Sequence, residues 1–142
     1  MSGPIKTVLI DTDVVINHLR GRQQDTRFLK RVMVEGEFQG LYSAVTEVEL
    51  FAAEELPPAQ AEDIKGILAH LQRVDFTRPI AQLAGQLLGR YRKSHGLSMP
   101  DAIIAASALT CGAVLATRNT RHYAFISGLL LTSPDILAGQ ER

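Results

Sequence analysis

Thr7-Val8-Leu9-Ile10-Asp11-Thr12-Asp13-Val14-Val15-Ile16 changes its period in mid-stretch. Thr7 to Ile10 is β-branched and apolar at consecutive positions, the pattern of a strand buried on both faces. Thr12 or Asp13 then stands where a helix cap belongs. Val14, Val15, Ile16 and Leu19 follow as the apolar residues of a helix that Gly21 ends. A buried strand running straight into a helix is the first unit of an alternation that continues along the chain.

Phe28, Leu29, Val32 and Met33 mark a second helix closed by Gly36. Leu41 to Ala44 reads as a strand leading into a helix over about 45–55, which Pro57 and Pro58 break. Ala61, Ile64, Leu68 and Leu71 form another helical stripe, and Val74 to Phe76 a short strand. Ile80, Leu83, Ala84, Leu87, Leu88 and Tyr91 recur at the clearest helical spacing. Ala81, Gly85 and Gly89 form a small-residue stripe on that helix, which suggests close approach of another backbone, within the domain or from a second copy, with the first favoured. Gly96 ends it. Pro100 fits the first position of the next helix, apolar nearly all round from Ala102 to Leu109 and terminated by Gly112. Strands are expected at Ala113–Thr117 and Leu129–Thr132, and fraying after Pro134. The alternation predicts one domain over residues 1–142, a three-layer α/β/α sandwich with a mainly parallel central sheet.

Composition narrows the classes. The 142 residues are 46% apolar and 21% charged, enough for a buried core and too apolar for disorder. Fifteen basic residues balance fifteen acids. A zero net charge neither attracts nor repels a polyanion, so such a site needs local clustering. The single Cys111 excludes an internal disulfide and reads as a buried thiol in an apolar segment. The chain has no signal-peptide pattern and no apolar run near the roughly 20 residues of a membrane span, so a cytoplasmic protein is expected.

Acids recur at the ends of the expected elements. Asp11 is the first residue past its strand, where open parallel sheets place their sites; a turn or cap aspartate is the plainer alternative. Asp13 lies at a cap position and can also orient Asp11 or a metal-bound water by hydrogen bonds. Glu47 and Glu49 lie on nearly opposite sides of one helix. Glu49 shares a side with Val45, Val48 and Ala52, but Thr46-x-x-Glu49 is also the pattern of a capping box. Asp101 heads the apolar helix, either as an acid favoured by the helix dipole or as a charge at the core's edge that needs a partner. Asn119 follows the late strand as a turn residue or a metal-directed amide, and His122 reads as a partly exposed turn residue. Carboxylates that share a pocket repel one another, and a hard cation such as Mg²⁺ relieves them.

Four stretches read together resemble the PIN-domain ribonucleases, nearest the VapC toxins of toxin–antitoxin pairs. They are Val8 to Ile16, Ser43-Ala44-Val45-Thr46-Glu47-Val48-Glu49-Leu50, Met99-Pro100-Asp101-Ala102-Ile103-Ile104-Ala105-Ala106, and Thr117-Arg118-Asn119-Thr120-Arg121-His122-Tyr123. The resemblance implies that Asp11, Glu49 and Asp101 form an acidic site for Mg²⁺, with Mn²⁺ able to substitute. It selects Glu49 over Glu47 and puts Asn119 at the rim beside Thr117. Asp13 and Thr117 are expected to support the acids by hydrogen bonds. His122 stands where the family often has an acid, which puts a complete second metal site in doubt. Metal-activated water would cleave RNA to a 3′-hydroxyl and a 5′-phosphate, with Arg118 and Arg121 as expected phosphate contacts. A homodimer, a cognate VapB-like antitoxin and inhibition of translation or growth are further implications. The alternatives are a PIN-type RNA-processing nuclease without an antitoxin, a haloacid-dehalogenase-type phosphatase using Asp11 and Asp13, and a catalytically inactive scaffold.

Overall fold

A computed structural model describes residues 6–135; the fraying expected after Pro134 concerns residues 136–142, outside the described residues. Strand β1 (Lys6–Ile10) leads through α1 (Thr12–Leu19) and α2 (Gln23–Met33) to β2 (Phe38–Ser43). Helices α3 (Ala44–Leu50) and α4 (Pro58–Leu68) connect to β3 (Gln72–Val74). Then come α5 (Arg78–His95), α6 (Met99–Cys111), β4 (Val114–Ala116), a 3-10 turn at Thr120–His122, and β5 (Leu131–Thr132). All strand pairs are parallel, in the order β3-β2-β1-β4-β5. The expected three-layer α/β/α class is what the chain adopts.

β1 is the central strand, and its side chains divide the core in two. Leu9 packs on one face with Leu115, α5 and α6. Val8 and Ile10 point to the other face with Phe28, Leu29 and Ile64 of α2 and α4. This is the period of two of a pleated strand, with apolar residues on both sides because both faces are covered. Helix α6 has seven successive buried residues, Ala102 to Ala108, which accounts for its apolar run. After β3 the chain returns to place β4 on the far side of β1. Strand order therefore reverses between β1 and β4, and the crevice beyond their carboxyl ends is where ligands enter such sheets.

Several expected boundaries move. Asp11, not Thr12 or Asp13, is the N-cap of α1, accepting from the Thr12 N–H, because the helix begins as soon as the strand ends. Helix α3 stops at Leu50 instead of running to about residue 55; Glu54 and Glu55 would oppose the negative end of its dipole. Strand β3 lies at Gln72–Val74, two residues ahead of the expected stretch, and Phe76 is exposed. An edge strand pairs through its backbone and tolerates Gln72 and Arg73, so its side chains do not announce it. Met99 precedes Pro100 as the first residue of α6. Cys111 is exposed, being the last residue of α6, where the helix leaves the core.

The glycine stripe has the opposite setting to the favoured one. A Cβ at Gly85 or Gly89 would meet nothing within 4 Å, so among the described residues no other backbone approaches there. The glycine under real packing constraint is Gly40 of β2, where a Cβ would fall 2.5 Å from Val32 Cγ1 and 2.6 Å from Leu71 Cδ2. Gly40→Ala is therefore expected to destabilise the fold by about 1–3 kcal/mol through overpacking. Gly66→Ala, on the open face of α4, should stabilise it by up to about 1 kcal/mol. Urea denaturation of the three proteins checks the opposite signs.

Candidate active site

The carboxyl ends of β1, β2 and β4 and the start of α6 surround a cleft of about 270 Å³ lined by Asp11, Thr12, Asp13, Glu49, Asp101, Asn119 and His122, with Ile16. Residues separated by up to 111 positions thus reach one cavity because parallel strands deliver all their carboxyl ends to the same edge.

Asp11 sits at its floor, 5% exposed. One carboxylate oxygen accepts from the Thr12 N–H at 2.8 Å and the other from the Thr117 hydroxyl at 2.7 Å. Asp13, in the first turn of α1, accepts from the Arg118 N–H at 3.1 Å and the Asn119 side-chain amide at 2.9 Å, both through Oδ2. Its Oδ1 is buried with no hydrogen-bond partner. Thr117 lies 3.5 Å from Asp13 and accepts the Asn119 N–H at 3.0 Å, so the loop after β4 is tied to both aspartates. Burial first, then the charge of Asp13, pushes the Asp11 carboxyl up to about 7, although both of its hydrogen bonds act in the opposite sense. Burial likewise raises Asp13 to about 6, again against its hydrogen bonds, with Asp25 adding repulsion.

Glu49 enters from α3. The N-cap of that helix is Ser43, which accepts from the Val45 N–H, so Thr46 lies inside the helix and the capping-box alternative fails. The stripe with Val48 and Ala52 fails too: Val48 is 67% exposed and Ala52 lies beyond the helix. Glu49 is instead held by Thr12, whose hydroxyl donates to Oε1 at 2.6 Å and lies 2.9 Å from the Thr46 hydroxyl. With one proton on Thr12, the second hydroxyl contact is filled by the Thr46 proton. Glu47 points elsewhere, receiving Tyr42 and Arg73, each at 3.3 Å. Asp101 sits in the first turn of α6, its N–H capped by Ser98. Oδ1 accepts from the Tyr123 hydroxyl at 3.0 Å, and Oδ2 lies 3.4 Å from His122 Nδ1. His122 is the exposed turn residue expected, and it faces the cleft.

The sequence offers Thr12 only as a cap and Tyr123 as no site residue, yet both hold acids of the cleft. Tyr123 is 1% exposed, and burial followed by the charges of Asp11 and Asp101 raises its phenol, so it remains a donor. No period marks it, since it follows a single 3-10 turn. Arg118 requires a correction as a phosphate contact. Its guanidinium grips both oxygens of the fully buried Asp25 and reaches Asp135 at 2.6 Å, so its charge is consumed by acids behind the cleft. Arg121 is exposed, and no hydrogen bond or ion pair reaches its side chain among the described residues.

Donor chemistry at the cleft suits a hard cation. Every acid supplies oxygen, and Asp13 Oδ1 is a buried acceptor left unsatisfied. Among the described residues, no three acidic or histidine side chains form a ready-made cage. Mg²⁺ does not need one, because it keeps several waters and takes one or two carboxylates.

The PIN-domain family model matches residues 8–126. The chain belongs to the PIN-domain family. Within it, the chain is 33% identical over 119 residues to Ribonuclease VapC19 of Mycobacterium tuberculosis, covering 81% of this chain and 90% of that protein. A toxin–antitoxin complex from Klebsiella pneumoniae contains a chain 27% identical, with a TM-score of 0.69 over 89% of this chain and 97% of that one. The DNA-bound VapBC structure from Salmonella typhimurium contains one at 24% identity, with a TM-score of 0.77 over 92% and 99%. The PIN domain and its VapC relatives displace the phosphatase alternative. No helix among the described residues is long and apolar enough to cross a membrane.

Two consequences of this PIN domain's electrostatics are testable. Asp11 and Asp13 hold their protons more tightly when folded than when unfolded, where an aspartate titrates near about 3.9. Their contribution is fully present below that value and is lost as pH rises through about 6 and 7. In chelator, the melting temperature should therefore fall between about pH 5 and about pH 8, and Asp11→Asn should flatten that fall. Separately, Arg118→Met strands the buried Asp25 charge and should cost about 3–5 kcal/mol, measured by denaturant unfolding.

Proposed function

We propose that this chain is a Mg²⁺-dependent endoribonuclease, the cytoplasmic toxin of a toxin–antitoxin pair that inhibits translation or growth. The observation that carries the reading is the convergence of Asp11, Glu49 and Asp101 on one cleft in a chain of the PIN-domain family.

Asp11, Glu49 and Asp101 would hold Mg²⁺ or Mn²⁺ against the scissile phosphate, in part through the waters the cation retains, with Asn119 at the rim. When bound, the cation supplies an acidified water as nucleophile and offsets charge on the phosphoryl oxygens. Thr117 and the Thr12 N–H keep the two Asp11 oxygens fixed. Thr12 does the same for Glu49, and Tyr123 for Asp101, so the acids are oriented before substrate arrives. Asp13 accepts from the Arg118 N–H and the Asn119 side-chain amide, and so fixes the rim. Attack by water leaves a 3′-hydroxyl and a 5′-phosphate. Arg121, exposed beside the cleft, is free to meet a phosphate.

The solved relatives named above are toxin–antitoxin assemblies, and a cognate VapB-like antitoxin and a homodimer belong to the same proposal. The open Ala81, Gly85 and Gly89 face of α5 leaves room for a second helix at close range.

Incubation with RNA and Mg²⁺ tests the activity. Asp11→Asn and Asp101→Asn should each lower cleavage at least about a hundredfold, and chelator should abolish it. Wild-type cleavage that persists in chelator would overturn the metal-dependent mechanism. Melting supplies an independent readout. Asp101→Asn should melt higher than wild type in chelator and gain less from Mn²⁺, whereas equal responses would favour an inactive scaffold.

A further inference from the structure

The acidic cleft cannot attract RNA by itself. Its carboxylates repel a polyanion until a cation binds, and the net charge of the chain is zero. Attraction must come from a neighbouring surface. A second cleft, of about 520 Å³, opens on the other side of the loop after β4, lined by Arg22, Arg27 and Arg118 with Asp25 and Asp135. Arg118 is the partition between the two: its side chain lines the second cleft while its N–H holds Asp13 of the first.

The charges of that cleft do not cancel. Arg118 already covers Asp25 with two hydrogen bonds and pairs with Asp135. Arg22 and Arg27 are exposed, and among the described residues no hydrogen bond or ion pair reaches either side chain. They are the N-cap and the fifth residue of α2, an 11-residue helix whose N-terminus carries no side-chain cap. Its first N–H groups and the positive end of its dipole therefore reinforce the two guanidinium groups. Arg118, which follows β4, bonds to the first turn of α2, so that helix end lies at the same edge of the sheet as the acids.

We propose that Arg22 and Arg27 form a subsite for backbone phosphates of single-stranded RNA, holding the strand beside the scissile bond. The inference rests on the nuclease reading above. Contacts of this kind position a strand without reading its bases, which fits a cleft lined by no aromatic residue. Arg118 serves the subsite by neutralising Asp25, which would otherwise repel the strand.

The test measures binding of a labelled oligouridylate of about sixteen nucleotides, with Mg²⁺, to an Asp101→Asn parent that leaves RNA uncut. Adding Arg22→Gln and Arg27→Gln should weaken binding about tenfold and lower the slope of log affinity against log salt by about 1.4, as expected for two phosphate contacts on a single strand. In the otherwise wild-type chain, the pair should raise KM and leave kcat and melting temperature unchanged. Arg92→Gln with Lys93→Gln on α5 removes the same charge elsewhere and should do neither. Equal weakening by the two pairs would replace the subsite with a general charge effect. No weakening by the first pair, while the wild type cleaves RNA, would overturn the subsite and leave the nuclease intact. A parent that binds no RNA, together with a wild type that cuts none, would overturn both.

Discussion

A carboxylate buried at the end of the central strand governs this molecule. Asp11 is almost wholly removed from water, with Asp13 in the first turn of the helix it caps and Asp101 across the cleft. Desolvation raises its proton affinity more than its two hydrogen bonds lower it. Such a group is a poor contributor to stability at neutral pH, and natural folds retain costs of this kind at sites of function. The surrounding architecture accommodates it. Thr12, Thr117, Tyr123 and the Arg118 N–H are hydrogen-bond donors placed against the acids, and Asp25 and Arg118 anchor the β4–β5 connection that carries three of them.

The Asp25–Arg118 pair illustrates how position overrides residue type. An arginine beside an acidic nuclease cleft invites assignment to the substrate. Here its fork is occupied on both sides by acids, one of them fully buried. A buried pair of this sort is weak evidence for net stability, since desolvation offsets much of the attraction. Its value lies in geometry: with Asp135 it fixes a helix end, a loop and the segment that follows β5 to one another.

Part of this was legible in the chain. The change of period at Ile10–Asp11 marks β1 and the start of α1, and the all-round apolar run of α6 marks a buried helix. The acids at the ends of those elements pointed to one edge of the sheet. Other features were not legible. Thr46 and Glu49 match a capping box in spacing, yet Ser43 starts the helix a turn earlier. Gly85 and Gly89 look like a close-packed stripe and face open space, while Gly40, alone in its strand, is the crowded one. Spacing records which residues share a face, not what stands opposite that face.

Local order along the chain determined which residues begin and end the strands and helices, because backbone period and capping act over a few positions. It also determined that hard oxygen donors would lie at those ends. Only the tertiary structure decided which donors meet. The return of the chain to place β4 beside β1 brings Thr117 to Asp11, 106 positions away. The packing of α2 against the loop after β4 takes Arg118 from the cleft and leaves Arg22 and Arg27 beside it. Hydrogen bonds and ion pairs act over a few ångströms, so their partners are fixed by how the layers stack and not by their separation in sequence.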